Sequence, residues 1–373
     1  MSETGSDKPN TEQAFANFDL KAEAPEARKP AVRFAFEFPQ LLDLFVPADE
    51  AAARERRSSR ILGVFAVFIV AAALMLASLG PLISEQADDP ASLSSPHTWL
   101  GLGAAALGIF GTVLGLLGSR RGASRRKWLQ ARLKTETLRL FHFHYIAARL
   151  PEIVAINGDE HRKQHYIEAR LLALERLKVK VLADPEAELE RIIARKEETS
   201  FQSIAGFEEA HGDAVPPVAE DVFAAWQVLR LNWQATYCAA KLEHRRPDGG
   251  MTPKGMEEMF ERLAWFFVGA IILIHVAHFF NALADLRITA LEVAVIWVAL
   301  AALAARALED GFQPMREVER YEQYRANVRV AEERFEAAKS FPAKVEALRA
   351  FERTSLEEMR VFLRTHARAR FLL

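Results

Sequence analysis

The stretch AIILIHVAHFFNALADLRITALEVAVIW, residues 270–297, decides how the chain is read. It joins two apolar runs, Leu263 to Leu283 and Ile288 to Ala305, through a short polar turn at Asp285 to Arg287. Each run is about as long as the ~20 residues that cross a ~30 Å hydrocarbon core. Two more runs of that length, Ile61 to Leu79 and Trp99 to Leu117, lie earlier in the chain. The remaining sequence is rich in Ala, Glu and Arg, the residue types of helix, with little of the alternation expected of strands. The fold expected is all-α: a four-span transmembrane helical protein with long cytoplasmic helices and a disordered N-terminal tail.

Composition agrees with this division. Of 373 residues, 50% are hydrophobic and 26% are charged, which a single soluble domain accommodates only if the two classes are segregated along the chain. The formal net charge of −2 argues against a nucleic-acid partner, since such binding leans on a basic surface. One cysteine, Cys238, excludes an internal disulfide framework and a cysteine-based zinc site. The first apolar run begins only at Ile61, behind a polar leader, so it reads as a signal anchor rather than a cleaved secretory signal.

The flanks set the orientation. RERRSSR (Arg54 to Arg60) precedes the first run and SRRGASRRK (Ser119 to Lys127) follows the second, whereas the loop SEQADDPASLSSPHT between them has no Lys or Arg. By the positive-inside rule both flanks are cytoplasmic, and parity places both termini there too. The expected segments are a tail at 1–30, a juxtamembrane segment at 31–59, a first hairpin at 60–118, a cytoplasmic helical region at 119–259, a second hairpin at 260–308 and C-terminal helices at 309–373.

In the juxtamembrane segment, Val32, Phe34, Phe36 and Phe38 alternate before Pro39, which fits either a short strand or a segment that docks on a membrane surface or a domain. Helices are expected near Ser124 to Leu150, Glu160 to Glu198, Ala219 to Glu243, Met315 to Lys339 and Ala343 to His366, with breaks at PEIVAINGD, at HGDAVPP and around Gly311 and Pro314. Val318, Tyr321, Tyr324, Val328, Ala331 and Phe335 form an apolar stripe that must be buried against something. The two halves of the chain share one order of elements, as a duplication would, or as any two hairpins do.

Polar residues inside the apolar runs are the functional candidates. His275, His278 and Asn281 recur every three residues on one helix face, and Glu292 enters the next run at the depth of His278, so a contact between His278 and Glu292 is expected. Such groups either glue helices together or line a hydrated path. Along the second run, Ala104, Gly108, Gly111, Gly115 and Gly118 lay a seam of small residues suited to close helix approach. The GLGAAA within it matches a dinucleotide-binding pattern in form only, because no strand precedes it. His142 and His144, and His161 and His165, lack a third ligand or the glutamate of a zinc motif, and are expected on a solvated surface. No Walker loop, nucleophile elbow or kinase set is present, so neither an enzyme nor a cofactor or metal site is expected.

After the first hairpin comes RRKWLQARLKTETLRLFHFHY (Arg125 to Tyr145), with Trp128 just beyond the span and then Arg132, Glu136, Leu138 and Arg139 along a helix. This arrangement resembles the SLATT family, bacterial two-span membrane modules associated with nucleotide-sensing conflict systems. The resemblance covers residues 55–150 and, more loosely, 258–368, where Gly311 and Pro314 depart from the pattern. It implies an oligomeric pore-forming or effector module in the bacterial inner membrane, with a homo-oligomer and a separate sensor protein as partners. The alternative is a non-conducting membrane scaffold whose cytoplasmic helices dock a soluble partner.

Overall fold

The computed structural model describes residues 20, 24–80, 99, 101–110, 113, 122–194, 215–246, 250–284 and 288–368. Its elements are helices; no strand occurs among the described residues, and Arg245 and Met251 form one isolated bridge. The protein is therefore all-α. The chain divides into two compact units. One, the core unit, takes residues 1–54, 126–252 and 316–368; the other, the span unit, takes 55–125, 253–315 and 369–373.

In the core unit, Pro25–Arg28 makes a 3-10 turn and Arg33–Phe36 a short helix, α1. Val32 and Ala35 are fully buried, and Phe36 and Phe38 nearly so, so this segment docks on its own domain and is not a strand. Arg170 holds it there. Its Nη1 donates to the carbonyl of Ala35 at 2.6 Å and its Nη2 to those of Phe34 and Glu37 at 3.0 and 2.7 Å. Those carbonyls end a helical turn and carry its negative dipole, which a guanidinium satisfies. The same guanidinium lies 4.1 Å from the Phe38 ring centroid. Residues 33–38 are called the strap below.

Pro39 then opens α2 (Pro39–Ala77), which carries Pro47 in its interior and passes from the core unit into the span unit. Helix α3 (Gly122–Ala148) is followed by α4 (Leu150–Ile156). The expected break at PEIVAINGD is thus shorter than its sequence suggests: Pro151 sits in the first turn of α4, where its missing N–H is harmless, and the turn itself is Asn157 and Gly158, both with positive φ. Asp159 caps α5 (Glu160–Leu177) by accepting from the N–H groups of His161 and Arg162.

The single long helix expected over Glu160 to Glu198 is also divided. A π segment, Lys178–Leu182, ends α5, and Asp184 accepts from the Ala187 N–H at 2.9 Å to start α6 (Pro185–Ala194). Proline cannot continue a helix across its own first turn. Helices α7 (Pro217–Trp226) and α8 (Trp233–Leu242) are joined without a break by a second π segment, Gln227–Asn232.

In the span unit, α9 (Pro253–Leu283) packs antiparallel to α10 (Thr289–Phe312). Gln313, in the left-handed region at φ 54°, ends α10, and Pro314 begins α11 (Pro314–Ala337); α12 (Phe341–Arg368) completes the chain. The interruption expected around Gly311 and Pro314 is present, with Gln313 taking the strained conformation. The stripe on α11 is buried: Val318, Tyr321, Tyr324, Val328 and Phe335 are each 6% exposed or less. Its partners include Trp226 and Phe223, whose rings meet Phe335 at 5.9 and 5.7 Å.

Three helical stretches among the described residues are long and apolar enough to cross a membrane: Arg33–Ala77, Pro253–Leu283 and Ala290–Ala337. Their most apolar windows are 6%, 0% and 6% buried, the surface expected of a protein solvated by lipid rather than water. The described part of the second apolar run, Gly101–Phe110, is an apolar helix of shorter length.

Replacing Arg170 by Ala removes three charge-assisted bonds and leaves buried carbonyls unpaired, a loss of about 3 kcal/mol. We expect a lower melting temperature by tryptophan fluorescence and faster tryptic cleavage at Arg33 in Arg170→Ala. An unchanged cleavage rate would mean that apolar burial alone holds the strap.

Candidate functional site

The polar residues of the second hairpin lie apart from one another. Asn281 is half-buried, and its side-chain oxygen accepts from the Ile288 N–H at 3.3 Å, so it closes the turn into α10. Glu292 occupies the first turn of α10, where the positive end of the helix dipole favours a carboxylate. It is exposed, as is His275, and His278 is half-buried. No hydrogen bond or ion pair joins His278 to Glu292 among the described residues. A polar contact the sequence does not announce lies nearby: Trp297 Nε1 donates to Ser78 Oγ at 2.9 Å and to the Met75 carbonyl at 3.2 Å.

Of the seam, Ala104 is buried and Gly108 half-buried, while Gly111, Gly115 and Gly118 lie outside the described residues. A Cβ added at Gly108 would meet nothing within 4 Å among the described residues.

The juxtamembrane residues converge. Trp128, Arg132, Glu136 and Arg139 fall at steps of four, four and three on α3, which aligns them on one buried face. Trp128 packs edge-on against Phe362 and His366 of α12, at 5.7 and 5.2 Å. Glu136 takes Arg132 on one carboxylate oxygen and Arg139 on the other, the latter at 2.5 Å. Arg132 also lies 3.8 Å from Asp49 of α2, and Arg139 stands over the Phe45 ring at 5.3 Å.

Two further arginines meet this face. Arg230, from the π segment between α7 and α8, forms a bidentate pair with Glu352, with Nε and Nη2 each 3.1 Å from a carboxylate oxygen; both side chains are 2% exposed or less. Arg320 of α11 pairs with Glu317 at 2.8 Å and with Glu358 of α12. Tyr237 and Tyr321 share a hydroxyl contact of 3.2 Å, and the Tyr324 hydroxyl lies 3.3 Å from both Gln234 Oε1 and Ser355 Oγ. Between these groups is a cavity of about 40 Å³, polar-lined and large enough for water.

Charges in this network balance, with four guanidiniums against the carboxylates of Glu136, Glu317, Glu352 and Glu358. Burial alone would raise the Glu136 carboxyl, but Arg132 and Arg139 overcome it and hold it at about 2. Burial pushes Glu358 up, with Glu136 and Glu317 adding to the rise and Arg320 opposing it. Burial likewise pushes the Cys238 thiol up to about 12, which removes it as a nucleophile. Among the described residues no group of three or more His, Cys, Asp or Glu could hold a metal ion. Ring contacts, a hydroxyl contact and an ion pair thus tie helices α3, α8, α11 and α12 to one another.

Sequence reasoning singled out Trp128, Arg132, Glu136 and Arg139 through a family resemblance and not as an ion-pair network, and it missed Arg230, Arg320, Glu352 and Glu358. A signal existed at Arg230, a lone charge between Trp226 and Trp233 on an otherwise apolar face. The histidines expected on a solvated surface divide: His161 and His165 are exposed, whereas His142 is buried, because the strap covers its face of α3. No family model matches the chain, and neither a curated protein nor a solved structure matches it.

Removing one member of the Arg230–Glu352 pair strands a buried charge, at a cost of about 3–5 kcal/mol. We expect Arg230→Met and Glu352→Leu each to lower the melting temperature more than the double variant does. Equal or additive losses would show the pair is not coupled. Glu136 has its own pH signature: its contribution is complete above its ordinary value of 4.5 and is lost as pH falls through about 2. The stability gap between the parent and Glu136→Gln should therefore be full at pH 7 and narrow steadily below pH 4.5.

Proposed function

We propose that the protein is a four-span, oligomeric SLATT-like effector module of the bacterial inner membrane, with both termini cytoplasmic, that assembles into an ion-conducting pore. The observation that carries this reading is an exposed histidine on the α9–α10 hairpin. His275 lies near the middle of the apolar part of α9 and is exposed there, among Ile272, Leu273, Val276 and Phe279, which are exposed as well. A polar group at that depth is expensive against lipid and is met by a neighbour or by water. A second copy of the chain supplies either, and the open face at Gly108 gives the first hairpin a place for close approach. A separate sensor protein would act on the core unit, whose network locks the helices that adjoin the membrane segments in sequence.

A second reading, the non-conducting scaffold, has one observation in its favour. A groove of about 1070 Å³ runs between α11 and α12, edged by Arg316, Arg334, Glu319 and Glu357 and containing the exposed Val330 and Val361, a surface suited to a partner helix.

Planar-bilayer recording on purified protein separates the two: the effector reading expects discrete conductance, and a silent monomer, with and without cytosolic extract, supports the scaffold. In liposomes, flux from pH 5 to 8 should change when His275→Leu and His278→Leu are combined. Equal flux in parent and variant would remove the histidines from the path.

A further inference from the structure

His366 lies in the last turn of α12 and is 4% exposed. Both of its ring nitrogens face acceptors. Nδ1 is 3.0 Å from the Phe362 carbonyl, one turn back, and Nε2 is 3.5 Å from Oε1 of Glu317 on α11, a residue that is itself 4% exposed. A carbonyl can only accept, so Nδ1 carries a proton and donates it. In the neutral ring Nε2 would then turn its lone pair towards a carboxylate oxygen. Glu317 is held as the anion, because Arg320 takes both of its oxygens, at 2.8 and 3.4 Å. The geometry therefore suits an imidazolium, with Nε2–H directed at Glu317.

The surroundings favour the same form. The ring lies 4.2 Å from that of Phe362 and meets Trp128 of α3 edge-on at 5.2 Å, and aromatic neighbours attract a cation. The other charged groups nearby are matched to one another. On α11, Arg320 is shared between Glu317 and Glu358 of α12; on α3, Arg132 is paired with Glu136 and lies 3.8 Å from Asp49 of α2. Both guanidiniums stand over Phe362, at 5.0 and 5.7 Å, with their carboxylates beside them.

Position gives this charge a consequence. Trp128 lies in the second turn of α3, Glu317 in the first turn of α11 and His366 in the last turn of α12, so one ring joins three helix ends. Helices α3 and α11 each follow residues of the span unit in sequence. Terminal turns open at low cost, so a change in a single ion pair shifts how often they do so.

We propose that His366 is a proton-operated latch: charged, it fastens the end of α12 to the starts of α3 and α11, and on losing a proton it lets the last turn of α12 open. The proton leaves Nε2 for solvent, while Nδ1–H keeps its bond to the Phe362 carbonyl. The latch concerns packing within the core unit and stands apart from both the effector and the scaffold readings.

Hydrogen exchange of the full chain in phosphatidylcholine nanodiscs tests it, read by mass spectrometry as protection factors, which divide out the intrinsic pH dependence of exchange. The charged form favours the closed turn, so protection is greatest below the ordinary histidine value of about 6.5 and is lost as pH rises above it. Between about pH 5.5 and 8.5 we expect protection over residues 362–368 to fall about tenfold, while that of α5 holds. In His366→Gln and in Glu317→Gln, protection of this turn should no longer depend on pH over that range. Glu317→Gln keeps the side-chain shape and decides alone should His366→Gln fail to fold. Equal protection of the turn at both pH values in the parent would overturn the latch. So would a fall that persists in His366→Gln, which would pass the titration to Glu358, whose carboxyl is pushed up by burial.

Discussion

Arg230 is buried at the centre of a helical core, where a guanidinium without a counter-charge would be prohibitive, and its two bonds to Glu352 are the constraint that the rest of the core unit satisfies. The pair is bidentate, so it fixes both the distance and the rotation of α12 against the helix that carries Arg230. Phe143 and Phe351 stack on the same guanidinium at 4.8 and 5.6 Å, which brings α3 into the arrangement. Once α3 is set, Trp128 and Arg132 meet Phe362 of α12, while Arg132 and Arg139 also reach Asp49 and Phe45 of α2. A core of this type derives less of its stability from its ion pairs than from its aromatic packing; what the ions supply is a single permitted alignment.

Much of this architecture was legible in the sequence because its signals are periodic. The first, third and fourth apolar runs and the α11 stripe are patterns of one helix at a time and fall on helices, as does the described part of the second run, Gly101–Phe110. What was not legible depends on two helices at once. The Arg320–Glu358 and Arg230–Glu352 pairs join residues 38 and 122 positions apart, and nothing local marks one member as the partner of the other. Arg170 is a clearer case still, for its partners are backbone carbonyls, which every residue has. Local punctuation was misjudged at PEIVAINGD, where Pro151 was read as part of a break and instead starts a helix.

The candidate residues of the membrane hairpin had the opposite fate. Their spacing placed them on a shared face, but depth along two antiparallel helices does not establish contact. Asn281 closes a turn, Glu292 sits at a helix start, and the hydrogen bond that links the first apolar helix to α10 comes from Trp297 and Ser78 instead. An indole N–H has one proton to give and an aromatic body to bury, so it pairs polar groups in an apolar setting at lower desolvation cost than a carboxylate does.

The π segment at Gln227–Asn232 bears on which sequence changes this chain can accept. A π turn holds one residue more than the α turn it replaces, so the helix beyond it is out of phase with the helix before it. Removing one of those six positions would let the helix close into regular α form with the helix beyond it keeping its face, whereas a deletion within a regular α segment turns everything downstream by about 100°. A change of length by one residue is therefore absorbed at this π turn, while the buried Leu229, Arg230 and Leu231 limit the residue types it can carry.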